Sequence, residues 1–586
     1  MIRDYFRVLQ VDLASGRGRI EEVDGRDSHA GGSGLAALLF DRMGFPDRGW
    51  EDPEQPLILA IGPLTGYFPL MSKVVCAFKS PYHDQYAESH AGGRAALSLR
   101  FADLDALVIT GKAARPSCLV VGSRTLAVKD VHYLWGKSVQ RTGRMLRSMV
   151  GGSGHRSILR IGPAGENKSA LACINVDTYR HFGRLGGGAV MGAKNLKAVV
   201  ILGDASGELP PGKEYALLFE KIYGQLTETA MMEKYHNLGT PANVAVLNKI
   251  QALPCRNLQR TSDEAIAGIT GETFADRTLL RNTACAGCPV GCIHLGFLRE
   301  KFKEPNQYLY RQVTYDHEPI FAMGAMLGVL DAFQVLTLLE MAEKAGLDVM
   351  SAGVALAWAT EATERGLLSE KETLVALKFG DAGAYVQAIK HLGLGTNDFY
   401  RLLGQGTLKA AEHYGGRDFA CVLGQEMGGY ATGEVFFVSQ ALGFRHSHLD
   451  AGGYAYDQKQ PGKDPARAVD FLVQDERARV LLTSMVACLF AREVYKEPVL
   501  AECLQALGYR NLADSLEALA HRVQEMRWRI RMKTGFAPEA VPIPDRFRQV
   551  VTWQGPVDVN YLDALQKAYA QRIREMGQIS GNINPE

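Results

Sequence analysis

The stretch that most narrows what this chain can become is Asn282-Thr-Ala-Cys285-Ala-Gly-Cys288-Pro-Val-Gly-Cys292. Gly287, Pro289 and Gly291 separate the cysteines and force a tight, irregular loop. A loop of that shape aims three thiolates at one point, so a fourth ligand must arrive from elsewhere in the fold. Three clustered cysteines plus one distant cysteine is a ligation pattern of [4Fe–4S] clusters. A zinc knuckle is the competing reading: zinc ligands come in pairs, no second C-x2-C occurs, and His294 is the residue that could complete a Cys3His site. Reduced loop cysteines are the third reading.

A chain of 586 residues exceeds one core and predicts two to four domains. A net charge of +1 gives no basic stripe, so no nucleic-acid partner is expected. Met1-Ile-Arg-Asp-Tyr-Phe carries no apolar leader, and no apolar run is long enough for a membrane span. Ten cysteines in this length are no disulfide framework and read as ligands plus buried thiols of a cytoplasmic protein. Cys76, Cys118, Cys173, Cys255, Cys421 and Cys503 stand singly in apolar surroundings and read as small buried hydrophobes.

Up to about Ile201 the pattern is strands and turns. Phe6 to Leu13 alternates, breaks at Ser15 to Gly18 and resumes at Arg19, a hairpin pattern. Short apolar runs follow at 57–62, 73–78, 106–111, 118–122, 157–162 and 196–203, with helices expected only over 34–43 and 138–150. Past the Pro210-Pro-Gly212 boundary the spacing turns helical over 213–249, 331–366, 371–394, 397–414 and 470–532, with a polar end after Gly577. The expected fold class is α+β: a β-rich base over 1–206, a helical domain with the cysteine loop over 207–415, and a second helical domain over 416–586.

Three glycine clusters lie in the first half: Ala30 to Gly34, Glu88 to Arg94, and Gly183 to Gly192. Successive amides in such loops form anion nests, and Arg94 and Arg184 stand beside them. Neither a P-loop nor a dinucleotide fingerprint is present. Turns between strands are glycine-rich too. Taken together, the clusters point to a phosphate-bearing redox cofactor near a metal cluster.

On these residues the chain resembles the aldehyde:ferredoxin oxidoreductase family of tungsten–pterin enzymes over nearly its whole length. The carriers are Gly62-Pro-Leu-Thr-Gly66, the Glu88–Gly93 loop, the Phe101–Lys112 segment, Gly162-Pro-Ala-Gly-Glu166 and, most specific, Gly183-Arg184 through Lys194 and Lys197, followed by the cysteine loop. The resemblance implies a β domain as base for two pterins, with a tungsten or molybdenum ion held by their dithiolenes. It places the fourth cluster ligand at Cys488, where Thr483-Ser-Met-Val-Ala487-Cys488 stands for the family's D-x-x-G-L-C. The second pterin motif, D-x-x-G-L-D, appears as Glu343-Lys-Ala-Gly346-Leu347-Asp348. Pterin-phosphate and bridging-magnesium positions fall on Lys73, His90, Ala91, Gly92, Gly93, Arg184, Leu185, Gly186 and Gly187.

By the same resemblance Glu318 and His448 are the active-site acid–base residues, with His446 a competing candidate. Met427 to Glu434 occupies the place of the family's P-A-Y-D-P-R element, and Glu233-Lys-Tyr-His236 reads as a solvated helix face. The implied activity is oxidation of a small-molecule aldehyde to a carboxylate. Electrons would pass through the [4Fe–4S] cluster to ferredoxin or an iron–sulfur partner subunit, and a homodimer is compatible. Two alternatives are carried: the catalytic subunit of a ring-reducing, aromatic acyl-CoA reductase type complex, and a zinc-stabilised binding protein without redox chemistry.

Overall fold

The computed structural model describes residues 3–152, 155–303, 307–460 and 462–578, with side chains 300, 302 and 303 excepted. Met1, Ile2 and the last eight residues of the polar end lie outside the described residues.

The first half is two stacked sheets. One contains β1 (Phe6–Asp12), β2 (Arg17–Val23), β3 (Leu57–Ala60), β4 (Val74–Lys79), β5 (Tyr86–Ala91) and β6 (Ala106–Thr110), in the order β2-β1-β6-β3-β4-β5. The other contains β7 (Ser117–Val121), β8 (Leu126–Asp130), β9 (Ser157–Arg160), β10 (Ile174–Val176), β11 (Arg180–Phe182) and β12 (Leu196–Ile201), in the order β11-β10-β9-β12-β7-β8. Only β1/β6 and β7/β12 pair in parallel; the other neighbours are antiparallel.

Side-chain alternation explains the layering. Leu9, Val11, Leu57, Leu59, Val74 and Cys76 point inward to meet Leu119, Val121, Leu159, Val199 and Ile201 of the facing sheet. Their neighbours Phe6, Val8, Ile58, Ala60, Val75 and Ala77 face outward, where helix Gly32–Met43 covers them. Cys118, Val120, Ile158, Ala198 and Val200 point away from the second sheet and are covered with Leu146 of helix Val139–Met149.

Helix Gly32–Met43 also packs on helices Pro465–Ser484 and Leu516–Lys533, so the base and the C-terminal helices share one layer. A buried ion pair fastens this junction: Arg527 donates to both oxygens of Glu88 at 2.9 and 3.2 Å, and Ser33 and Tyr86 donate at 2.8 and 3.0 Å.

Several features depart from the sequence pattern, among them helices Ala95–Phe101 and Gly187–Ala193 in the base, where only strands and turns were expected. The region 331–366 is two helices, Ala332–Ala345 and Val349–Glu364. Gly346, at φ +74°, ends the first in the left-handed region, and the Asp348 carboxylate accepts Met350 N–H at 3.0 Å to cap the second. The cysteine loop is carried by strands: β13 (Leu279–Thr283), β14 (Ile293–Lys303) and β15 (Gln307–Tyr315) form an antiparallel meander, and the loop joins β13 to β14. Among the described residues no single helix is long and apolar enough to cross a membrane.

Candidate active site

The meander positions both kinds of chemistry on one rigid unit. Its first connection carries Cys285, Cys288 and Cys292, and its last strand runs straight into helix His317–Met323, whose first turn holds Glu318. Leu70, forced to φ +60°, clamps the loop to the distant cysteine: its N–H donates to Gly287 O at 3.0 Å and its carbonyl accepts Cys488 N–H at 3.0 Å. Cys488 arrives where helix Pro465–Ser484 ends and Val486 turns at φ +57°.

All four of these cysteines are half-buried and line one cavity of about 490 Å³; the other six are buried, as expected of small hydrophobes. The cavity also contains Lys73, His90, Arg184, Leu185, Glu343, Leu347, Asp348, Thr483, Ala487, Glu318 and His448. Ala91, Gly92, Gly93, Gly186, Gly187 and Gly346 are not on its walls and serve close packing. A Cβ on Gly92 would lie 2.7 Å from Cys285 Sγ, one on Gly186 2.3 Å from Pro81, and one on Gly346 2.8 Å from Gly162 N. Glu88 to Ala91 is strand, so only the end of that glycine cluster is loop.

Cations surround the sulfurs. Arg180 Nη2 donates to Cys292 Sγ at 3.6 Å. Burial pushes the Cys285 thiol up, but Arg180 and Lys73 beside it outweigh burial and the net is below the ordinary value. Cys288 and Cys292, where burial dominates, are pushed up to about 12 and about 11. His294 lines the same cavity, but both ring nitrogens are engaged: Nδ1 meets Cys292 O at 3.2 Å and Nε2 meets Asn237 O at 2.8 Å. Among the described residues no three His, Cys, Asp or Glu side chains close on one point, as a single zinc ion with sulfurs at about 2.3 Å demands.

On the next wall, Arg184 Nε donates to Asp348 Oδ2 at 3.2 Å and its Nη2 to Glu426 O at 2.7 Å, while its Nη1 is buried without a hydrogen-bond partner. Arg180 Nε is likewise buried and unpartnered. His90 accepts from Arg445 at Nδ1, 3.1 Å, and donates from Nε2 to Glu88, 3.2 Å. Burial and the Arg445 charge push its imidazole down to about 4. Two unpaired guanidinium nitrogens in a cavity also lined by Lys73 and Arg445 fit a cofactor that carries phosphate.

At the far side Glu318 Oε1 meets both His448 Nε2 and the Tyr430 hydroxyl at 3.0 Å. Burial raises the Glu318 carboxyl, yet the His448 hydrogen bond and the neighbouring imidazoles hold it well below the usual carboxylate range. Asp316, half-buried and two residues before it, is shifted upward by burial and by the Glu318 charge. His448 Nδ1 is buried without a partner. The competitor His446 is outside this cavity, its ring nitrogens held by Ala441 O at 2.8 Å and Arg531 at 2.5 Å. Glu233 is exposed and His236 bonds Val290 O at 2.8 Å, in keeping with a solvated face.

Several wall residues had no assigned role in the sequence reading, among them Arg180, Asp316, Tyr430, Arg445, Tyr454 and Arg492. The alternation of strand β11 places Arg180 two residues from Phe182, but nothing local says which face meets the sulfurs. Asp316 stands two residues before Glu318 and was legible as a second carboxylate. Tyr430 lies in a glycine-flanked stretch whose partner is 112 residues away.

Residues 8–203 match the family model for the aldehyde ferredoxin oxidoreductase N-terminal domain, and residues 218–577 match that for domains 2 and 3. The chain belongs to the aldehyde ferredoxin oxidoreductase family. It is 28% identical over 546 residues to the tungsten-containing aldehyde ferredoxin oxidoreductase of Pyrococcus horikoshii, covering 89% of this chain and 86% of that protein. The Pyrococcus furiosus enzyme of the same name is 27% identical over 606 residues, covering 98% and 95%. The aliphatic sulfonate oxidoreductase WOR-like subunit of Pyrococcus furiosus is 30% identical over 433 residues, covering 69% and 66%. Among solved structures, the active site complex BamBC of benzoyl coenzyme A reductase with 1,5-dienoyl-CoA superposes with TM-score 0.80 at 18% identity, covering 97% of this chain and 95% of that one. This family member therefore shares its fold with that complex, a sheet-rich N-terminal region followed by mostly helical chain.

Proposed function

We propose that this chain is a tungsten or molybdenum bis-pterin oxidoreductase. In this reading it oxidises an aldehyde to a carboxylate and passes electrons through a [4Fe–4S] cluster to ferredoxin or a partner subunit. The observation that carries the proposal is the shared cavity: four cysteines from two distant parts of the chain open into the space that holds the Glu318–His448 pair. Three cysteines on one short loop with a fourth from a distant segment is a ligation pattern of a four-iron cube. Lys73, Arg184, Asp348, Arg445 and Thr483 would hold the pterin groups and their phosphates, and His90 and Leu185 would flank a magnesium ion if one is bound.

When bound, the pterin-held metal supplies the two-electron oxidation and the oxygen chemistry. The chain supplies position and proton handling. Both side-chain donors fall on Glu318 Oε1, which leaves Oε2 as the oxygen to take a proton from water or substrate. His448 Nε2 lies 3.0 Å from Glu318 Oε1 and would orient that carboxylate toward the substrate. Tyr430 and His448 together keep the carboxylate ionised in a buried site.

Aromatic residues on the cavity wall support a second reading, reduction of an aromatic acyl thioester on the same cofactor. Metal analysis of anaerobically purified protein, followed by assays with aldehydes and with aromatic thioesters, tests both. Tungsten or molybdenum with about four irons and aldehyde-dependent dye reduction is the expected result. Zinc without iron would sink both readings.

A further inference from the structure

We propose that the substrate is an aromatic aldehyde bearing an anionic group, its ring against a tyrosine wall and its charge at Arg492. The proposal rests on the aldehyde reading above and names which aldehydes the site takes.

The wall starts at Glu318. Tyr430 donates to that carboxylate and stacks on Tyr454 with ring centroids 5.0 Å apart at 24°. Tyr454, Tyr235 and Arg492 line the same cavity, and a side-chain hydrogen bond joins Arg492 to the Tyr235 hydroxyl. Tyr235 in turn stacks on Phe490, centroids 3.7 Å apart at 15°. These side chains come from four separate segments, and all face the cavity. Tyr235, Tyr454 and Phe490 are half-buried, so each keeps a ring surface open to the cavity. Aromatic faces and edges favour another ring over an alkyl chain of equal size.

Charge sets the direction. Glu318 is held ionised, so an anionic substituent beside it meets a like charge. Arg492 also lines the cavity, its side chain is 32% exposed, and its one ion-pair contact among the described residues is Glu493 at 4.0 Å. Its Nη1 donates to Leu489 O at 3.0 Å, which fixes the guanidinium beside the cavity without neutralising it. Lys234, also on the cavity wall, adds a second positive charge. The aldehyde end therefore sits by Glu318 and His448, and the acid end by Arg492.

The test compares kcat/KM of the holoenzyme for 4-formylbenzoate, benzaldehyde and butanal. We expect the order given, with about a tenfold advantage of 4-formylbenzoate over benzaldehyde. In Arg492→Leu that ratio falls to about one, and Arg492→Lys keeps part of it. Butanal ahead of both aromatic aldehydes, or a ratio untouched by Arg492→Leu, overturns the proposal. If Arg492→Leu does not fold, Arg492→Gln and the wild-type order decide by the same criteria. Calorimetric binding of 4-(hydroxymethyl)benzoate against benzyl alcohol separates the two layers of inference. If no aldehyde is oxidised yet the anion binds tighter and loses its advantage in the Arg492 variants, the ligand class stands and the oxidation fails. Equal binding of the two overturns the ligand class.

Discussion

Replacing Glu318 by Gln isolates the proton-handling role from everything else in the cavity. The amide is the same size, and its oxygen can still accept from His448 Nε2 and from the Tyr430 hydroxyl, both 3.0 Å from Oε1 in the parent. What it cannot do is take a proton at the second oxygen, because an amide nitrogen occupies that place. A positioned acid–base side chain contributes about a hundred- to ten-thousand-fold, so kcat should fall by that factor, equivalent to about 3–5 kcal/mol. The direction of the Glu318 shift adds a pH signature. Its carboxyl is held below the ordinary 4.5, so the parent keeps the carboxylate, and its rate, down to pH values below 4.5. Steady-state kinetics with a viologen acceptor between pH 4 and 8 measure both effects, with iron and tungsten or molybdenum contents checked against the parent. A Glu318→Gln enzyme with full metal content and a kcat within about fivefold of the parent would refute the assignment of proton transfer to this residue.

Two further outcomes concern the scaffold. Glu88→Ala leaves Arg527 buried without its bidentate partner and should lower stability by about 3–5 kcal/mol in chemical denaturation; a loss under about 1 kcal/mol contradicts the bridging role. Asp457 caps helix Glu434–Leu442 by accepting Val435 and Phe436 N–H at 3.1 and 3.0 Å, and burial, with Glu434 nearby, raises its carboxyl from 3.8 to about 7. A raised carboxyl contributes stability that is full below pH about 4 and is lost as pH rises through about 7, so Asp457→Asn should gain about 3 kcal/mol relative to the parent between pH 5 and 8. A pH-independent difference between the two proteins would mean the carboxyl is not buried as described.

Much of this was legible in residues with short-range signals. The hairpin at Ser15–Gly18, the apolar runs of the two sheets and the cysteine spacing all express local periodicity or turn chemistry. Short strands were not: β8, β10 and β11 are three to five residues long and take their structure from their neighbours' hydrogen bonds. The meander around the cysteines escaped notice because Arg299-Glu-Lys-Phe-Lys and Tyr308-Leu-Tyr-Arg lack a clean apolar alternation. The Gly346–Asp348 corner reads, in retrospect, as a helix stop followed by a helix start. In the cavity, Cys488 was reached through family resemblance, since no spacing rule joins it to a loop about two hundred residues upstream. Tyr430 and Arg180 reach the cavity only through tertiary packing, which no local pattern encodes.

The claim beneath all of this is that Cys488 and the Cys285–Cys292 loop ligate one cluster at the end of the catalytic cavity. Iron content and low-temperature EPR of dithionite-reduced Cys488→Ala, purified anaerobically beside the parent, address it most directly. The account predicts a parent signal of a reduced four-iron cluster that is lost or converted in the variant, with bound iron reduced. A parent without iron, or a variant with the parent's iron and spectrum, would contradict it.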